Sequence, residues 1–147
     1  MNDIRKDGMA SGLAGSAKEG PAAPSRHGRG GSRRDDRWGR TLFEQAHKAI
    51  TEGKLYLDPA FSRDTYIRLC LVNKNLVAQL VRRYAGTNLN GYINGLRLEH
   101  SKRLLSERPD LPIKAVALDS GFSSLRSFYR LFVARYGLTP TKYKKSL

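Results

Sequence analysis

The sequence predicts an all-α fold: two short helical pairs joined by a long connecting helix, behind a disordered N-terminal tail. Three observations predict it. From Trp38 onward apolar residues recur at three- and four-residue spacing, and no segment shows the period-two alternation of a half-buried strand. One pattern also occurs twice, as "LCLVNKNLVAQLV" at 69–81 and "LDSGFSSLRSFYRLF" at 118–132. In each, an apolar run breaks for a few turn-forming residues and then resumes at helical spacing. Finally, residues 1–37 hold seven of the fourteen glycines, no aromatic residue and few large apolar ones (Met1, Ile4, Met9, Leu13). Such a segment cannot bury enough surface to offset the entropy of ordering it.

Taken in order, the elements justify themselves locally. "TLFE" at 41–44 has the form of a capping box, with Leu42, Ala46, Ala49 and Ile50 forming one apolar stripe and Gly53 ending it. Ser62 is placed to cap a short helix over about 63–70, and Asn73 to cap the next, which runs to about Ala85. Asn88 precedes a longer helix to about Arg108, whose apolar side carries Leu89, Tyr92, Ile93, Leu96, Leu104 and Leu105. Gly95 inside that helix costs about 1 kcal/mol relative to alanine and implies a close approach by a neighbour. Pro112 suits the opening of a helix to Ser120. Ser123 or Ser124 opens another to Tyr136, ended by Gly137, and Thr139-Pro140 starts a last short one.

Superposing the two breaks shows a repeat. Tyr66-Ile67 falls on Val116-Ala117 and Leu71-Val72 on Gly121-Phe122, at an offset of 50. After the turn, Leu80-Val81 falls on Leu131-Phe132, Gly86 on Gly137 and Tyr92 on Tyr143, at an offset of 51. The second copy therefore has one more residue in its turn. A unit of two short helices and a tight turn, used twice, is a repeated helix-turn-helix. The first spans about 62–85, the second about 112–136, and the connecting helix about 89–108.

The second helix of each unit carries the functional signal. At about 100° per residue, Phe128, Leu131, Phe132 and Arg135 share one side of the 124–136 helix, opposite Arg126, Arg130 and Val133. In the first unit Val77, Leu80, Val81 and Tyr84 point inward, while Asn75, Gln79 and Arg82 point outward. Asn75/Gln79 thus align with Arg126/Arg130, each an i,i+4 pair on an exposed face. Arginine reads guanine and asparagine or glutamine reads adenine through bidentate hydrogen bonds in the major groove.

Composition supports this reading and removes others. The chain has 147 residues, a formal net charge of +14 and a pI near 10.3, which favours a polyanionic partner. Residues 1–37 carry 8 basic and 5 acidic residues, a net of +3, against 19 and 8, a net of +11, for 38–147. The charge therefore belongs mainly to the domain expected over 38–147. The lone Cys70 lies between leucines and reads as a small core residue, which excludes an internal disulfide framework. No run approaches the roughly 18 apolar residues of a membrane span. His27, His47 and His100 have no metal-ligand spacing with Cys70, and no catalytic constellation stands out, so neither cofactor nor enzyme is expected.

With these residues in place, "RLEHSKRLLSERPDLPIKAVALDSGFSSLRSFYRLFVARYGLTPTKYKK" resembles the C-terminal DNA-binding module of AraC/XylS-type transcriptional regulators. The resemblance rests on the I-x-x-V-A-x-x-x-G-F-x-S-x-x-x-F-x-x-x-F spacing followed by "YGLTPTKYK", and covers about Leu55 to Lys144. It implies two recognition helices entering successive major-groove segments on one side of the DNA. A connecting helix of about 19 residues is roughly 28 Å long, compatible with recognition helices about 34 Å apart. By position, the resemblance places base-reading on Leu125, Arg126, Ser127 and Arg130 in the second unit and on Asn75, Ala78 and Gln79 in the first. Backbone contacts are expected from Lys74, Arg82, Arg83 and Ser124, and Arg97 is expected to be structural. The chain departs from the pattern at Leu71, where glycine is common, and at Ile67 and Ser101, where alanine is usual. It departs again at Val133, where lysine is frequent.

The sequence is therefore expected to encode a sequence-specific binder of double-stranded DNA acting in bacterial transcription, in the cytoplasm and on the nucleoid. The expected further partner is RNA polymerase if it activates, with no membrane contact and a monomeric module unless a sensor domain dimerises it. Two other classes compete: a basic RNA-binding module, and a protein-interaction adaptor built on a degenerate DNA-binding fold.

Overall fold

The computed structural model describes residues 33–147, so most of the tail expected over 1–37 lies outside the described residues. Seven α-helices are present there, with a 3-10 turn at Leu55–Leu57 and no strand among the described residues. They are α1 (Arg33–Glu52), α2 (Arg63–Cys70), α3 (Lys74–Ala85), α4 (Leu89–Glu107), α5 (Ile113–Asp119), α6 (Leu125–Tyr136) and α7 (Pro140–Lys145). The fold is all-α, and the chain divides into two compact units. One holds the described residues through Leu55 with Arg63–Leu89; the other holds Tyr56–Ser62 with Asn90–Leu147.

In the first unit α1 packs on α2 and α3. Leu42, Ala46 and Ile50 of the expected stripe are buried, together with Tyr66, Cys70, Val77 and Val81. The beginning of α1 differs from expectation. The helix starts at Arg33, not at Thr41, and the Thr41 hydroxyl donates back to the Arg37 carbonyl at 2.9 Å instead of capping an end. Gly39, inside the helix, serves packing: a Cβ there would lie 2.8 Å from Leu80 Cδ2, so the missing side chain lets α3 approach. At the other end Gly53 closes on the Ala49 carbonyl at 3.0 Å, while the left-handed residue is Lys54, at φ 53°.

Between α2 and α3 the chain turns through Leu71, which holds a left-handed φ of 59°. Asn73 caps α3 by accepting from the Leu76 amide at 2.9 Å, and Gly86 ends it at φ 74°.

The second unit repeats the motif. Leu98, Leu105, Val116, Ala117, Phe122, Phe128 and Phe132 form its core. Leu98 and Ser101 fall off the apolar side assigned to α4 yet are buried; the Ser101 hydroxyl donates to the Leu98 carbonyl at 2.7 Å, which makes serine tolerable there. Pro112 occupies the N-cap of α5, one position before its expected place inside the first turn. Ser124 caps α6 and Gly137 ends it at φ 76°; Thr139 caps α7, with Pro140 in its first turn. The first residues of α3 and α6, Lys74 and Leu125, stand 51 positions apart, as the repeat requires.

The turn of the second pair packs against an arginine. Arg97 donates from Nε to the Tyr56 carbonyl at 2.7 Å, and from Nη2 to the carbonyls of Asp58 at 3.0 Å and Phe61 at 2.9 Å. Burial lowers its pKa, with partial relief from Asp58. Gly121 sits against this clamp, so Arg97 has the structural role expected of it. Gly95 likewise has a neighbour: a Cβ there would meet Arg135 Nη1 at 3.2 Å, and Arg135 pairs with Glu99 at 2.9 Å.

Candidate nucleic-acid interface

The interface is built one helix at a time. In α6, Phe128 and Phe132 are fully buried and fix the rotation of the helix, so Arg126, Arg130 and Val133 are turned to solvent. Ser124 accepts from the Ser127 amide at 3.2 Å, leaving its own hydroxyl hydrogen free to donate. Leu125 stands exposed at the first position, and Ser127 is half-buried on the opening turn. Among the described residues no carboxylate pairs with Arg126 or Arg130. Their guanidinium forks are therefore available for planar, bidentate recognition.

In α3, buried Val77 and Val81 set the rotation, and Asn75, Ala78, Gln79 and Arg82 are exposed. Lys74 is exposed at the first position, beside the Asn73 cap. Arg83 is placed differently from the other backbone-contact candidates. Its Nη1 pairs with Asp36 Oδ1 at 2.9 Å and its guanidinium lies 5.5 Å from the centroid of Tyr84. It is held against α1, with about half of its side chain still exposed. The structure thus brings Asn75, Gln79 and Arg82 onto one stripe, and Arg126 and Arg130 onto another with Leu125 and Ser124 at its N-terminal edge.

The sequence missed a basic group on α1. Arg37 and Arg40 are exposed on its first turns, and Arg40 lies 5.6 Å from the Tyr84 centroid. The available signal was the charged run "RRDDRWGR" at 33–40, which reads as tail only while the helix is taken to start at Thr41.

Cys70 is buried, and desolvation pushes its thiol up to about 12, partly opposed by a hydrogen bond from Tyr66. It is no nucleophile at neutral pH. Among the described residues there is no group of three potential metal ligands, and no helix is long and apolar enough to cross a membrane.

A two-fold helix-turn-helix with exposed polar and basic recognition faces defines a nucleic-acid-binding class, and comparison with known proteins agrees. A family model described as a helix-turn-helix domain matches residues 71–146, over half of the chain. An uncharacterised HTH-type transcriptional regulator of Escherichia coli, YijO, is 31% identical over 104 residues, covering 71% of this chain and 35% of its own length. The HTH-type transcriptional activator RhaR of Salmonella dublin is 26% identical over 97 residues, covering 66% and 34%. In fold, the chain is similar to the C-terminal domain of the response regulator yesN from Fusobacterium nucleatum, with a TM-score of 0.62 and 22% identity over 71% of this chain and 98% of that one. The chain belongs to the AraC-type helix-turn-helix family. It spans about a third of the length of the curated relatives it matches.

Proposed function

We propose that the chain is a sequence-specific binder of double-stranded DNA that regulates transcription, with α3 and α6 addressing successive major-groove segments. The observation that carries this reading is the Arg126/Arg130 pair, solvent-facing at i,i+4 on a capped helix whose rotation is fixed by two buried phenylalanines. Lys74, Arg82, Arg83, Ser124 and their neighbours supply backbone contacts that set affinity, while the helix faces select the site. The cellular setting that follows is the bacterial cytoplasm and nucleoid, with RNA polymerase as the partner of an activator.

Two measurements test it. With about six phosphate contacts, log–log salt titration on a 25-bp duplex is expected to give a slope of about −5, and a slope shallower than about −2 counts against DNA binding. Arg126→Ala or Arg130→Ala is expected to cost about 1–3 kcal/mol and to relax preference at one or two base pairs, whereas Arg82→Ala weakens all sequences alike and flattens the slope by about one. Competition with RNA and heparin addresses the rival classes: RNA that displaces the duplex on equal terms would favour an RNA-binding module.

A further inference from the structure

We propose that α1 is a third DNA-contacting element, in which Arg37 and Arg40 grip phosphates of the duplex backbone flanking the segment addressed by α3. The proposal rests on the DNA reading above and adds a surface to it.

Several contacts tie the first turns of α1 to the C-terminal end of α3. Arg83 pairs with Asp36, and the Tyr84 hydroxyl donates to the Asp36 carbonyl at 3.1 Å. The Tyr84 ring lies close to two guanidinium groups, Arg40 at 5.6 Å and Arg83 at 5.5 Å from its centroid, and packs on Phe43 at 5.7 Å. Gly39 permits this closeness against Leu80. Arg40 and Arg83 therefore share one local surface. Arg82 follows on α3, and Arg37 lies one helical turn from Arg40. All four arginines are exposed. Asp36 is already engaged by Arg83, and Glu44 lies a turn further along α1.

Local structure accounts for half of this cluster. Basic residues in the last turn of a helix interact favourably with its macrodipole, which suits Arg82 and Arg83 on α3. Arg37 and Arg40 lie in the N-terminal half of α1, where the dipole gives a cation no such help. Asp36 balances Arg83, and an external anion would balance Arg40 at the same ring. The anion class follows from position. Arg82 ends the outward stripe Asn75–Gln79–Arg82, and a helix lying in a major groove passes the phosphate backbone at its far end. Arginines gathered at that end face phosphates.

The test uses the full chain on its selected duplex. Arg37→Ala/Arg40→Ala is expected to make the salt slope shallower by about two, at about 0.9 per phosphate, and to erase ethylation interference at phosphates flanking the α3 segment. The selected sequence profile should stay unchanged, and Lys48→Ala, two turns along α1, should leave slope and interference as they were. Should the double variant misfold by circular dichroism, Arg37→Gln alone is the substitute, with an expected slope change of about one. A steep wild-type slope that these variants leave unaltered, or alter no more than Lys48→Ala does, overturns the role of α1. A wild-type slope shallower than about −2 instead removes the DNA reading itself.

Discussion

At the scale of single residues, the two turns solve one backbone problem differently. Gly121 takes φ 94°, and a Cβ there would lie 2.5 Å from the Tyr56 carbonyl oxygen and 2.8 Å from Arg97 Nε. Glycine is needed for conformation and for space. Gly121→Ala is expected to destabilise the fold by more than about 2 kcal/mol, since strain and collision with the Arg97 clamp add. Leu71 holds φ 59° and is 59% exposed. A left-handed L-residue costs about 1–2 kcal/mol, and glycine returns about 0.5–1 kcal/mol of that through a freer unfolded chain. Leu71→Gly should therefore be neutral or stabilising by up to about 1 kcal/mol, and thermal melting of both variants reads the contrast. A clear loss of stability in Leu71→Gly would show that the exposed leucine packs on something. Cys70 gives a second residue-scale expectation. Burial pushes its folded pKa up to about 12 from the ordinary thiol value of 9.0, so the protonated thiol favours the folded state below about 9. That contribution is lost as pH rises from 9 towards 12. Alkylation at pH 8.5 should accordingly label the unfolded chain and spare the native one; rapid labelling of native protein would contradict this burial.

Helices were legible in the sequence to the extent that their signals are local. Asn73, Ser124 and Thr139 all cap where side-chain chemistry says they should, and Gly86 and Gly137 end their helices in the left-handed conformation. The outward faces of α3 and α6 were legible because large apolar residues, Val77 and Val81 or Phe128 and Phe132, fix the rotation of each helix. What was illegible depended on partners distant in sequence. Thr41 reads as a cap until Arg37 is known to be helical. The Arg83–Asp36 pair was illegible because Asp36 lies far away in sequence. Where the domain is cut therefore affects its stability. A fragment 33–147 keeps the first turn of α1, whereas 38–147 removes both the Asp36–Arg83 pair and the carbonyl that accepts from Tyr84. The exposed ion pair is worth at most about 1 kcal/mol and the half-buried hydrogen bond about as much. Fragment 38–147 should melt several degrees below 33–147. Equal melting temperatures would mean that the first turn of α1 contributes nothing to its packing on α3.

For the whole molecule, one motif used twice is expected, on the proposed DNA reading, to recognise a site with unequal halves. The second unit has its turn anchored by Gly121 against the Arg97 clamp, its recognition helix capped by Ser124, and two exposed arginines on the outward face. A fixed turn and a fixed rotation aim each guanidinium at a defined depth, and each bidentate guanine contact discriminates by about 1–3 kcal/mol. The first unit is capped equally well by Asn73, yet its turn rests on a left-handed leucine, and its outward face offers two amides. Asn75 and Gln79 match adenine by chemistry, but a helix following a strained turn is less firmly aimed, and part of its basic surface is committed to α1 through Arg83. Selection from random duplex DNA is therefore expected to return an asymmetric, non-palindromic site, with its guanine-containing half aligned to α6 and a weaker half aligned to α3. Gln79→Ala should change the profile less than either arginine substitution, and Leu71→Gly, by relieving the first turn, should leave the α6 half untouched. If Arg130→Ala leaves the selected profile intact while Gln79→Ala erases a half-site, the dominant reader is α3. The rigidity of the second turn would then serve stability alone.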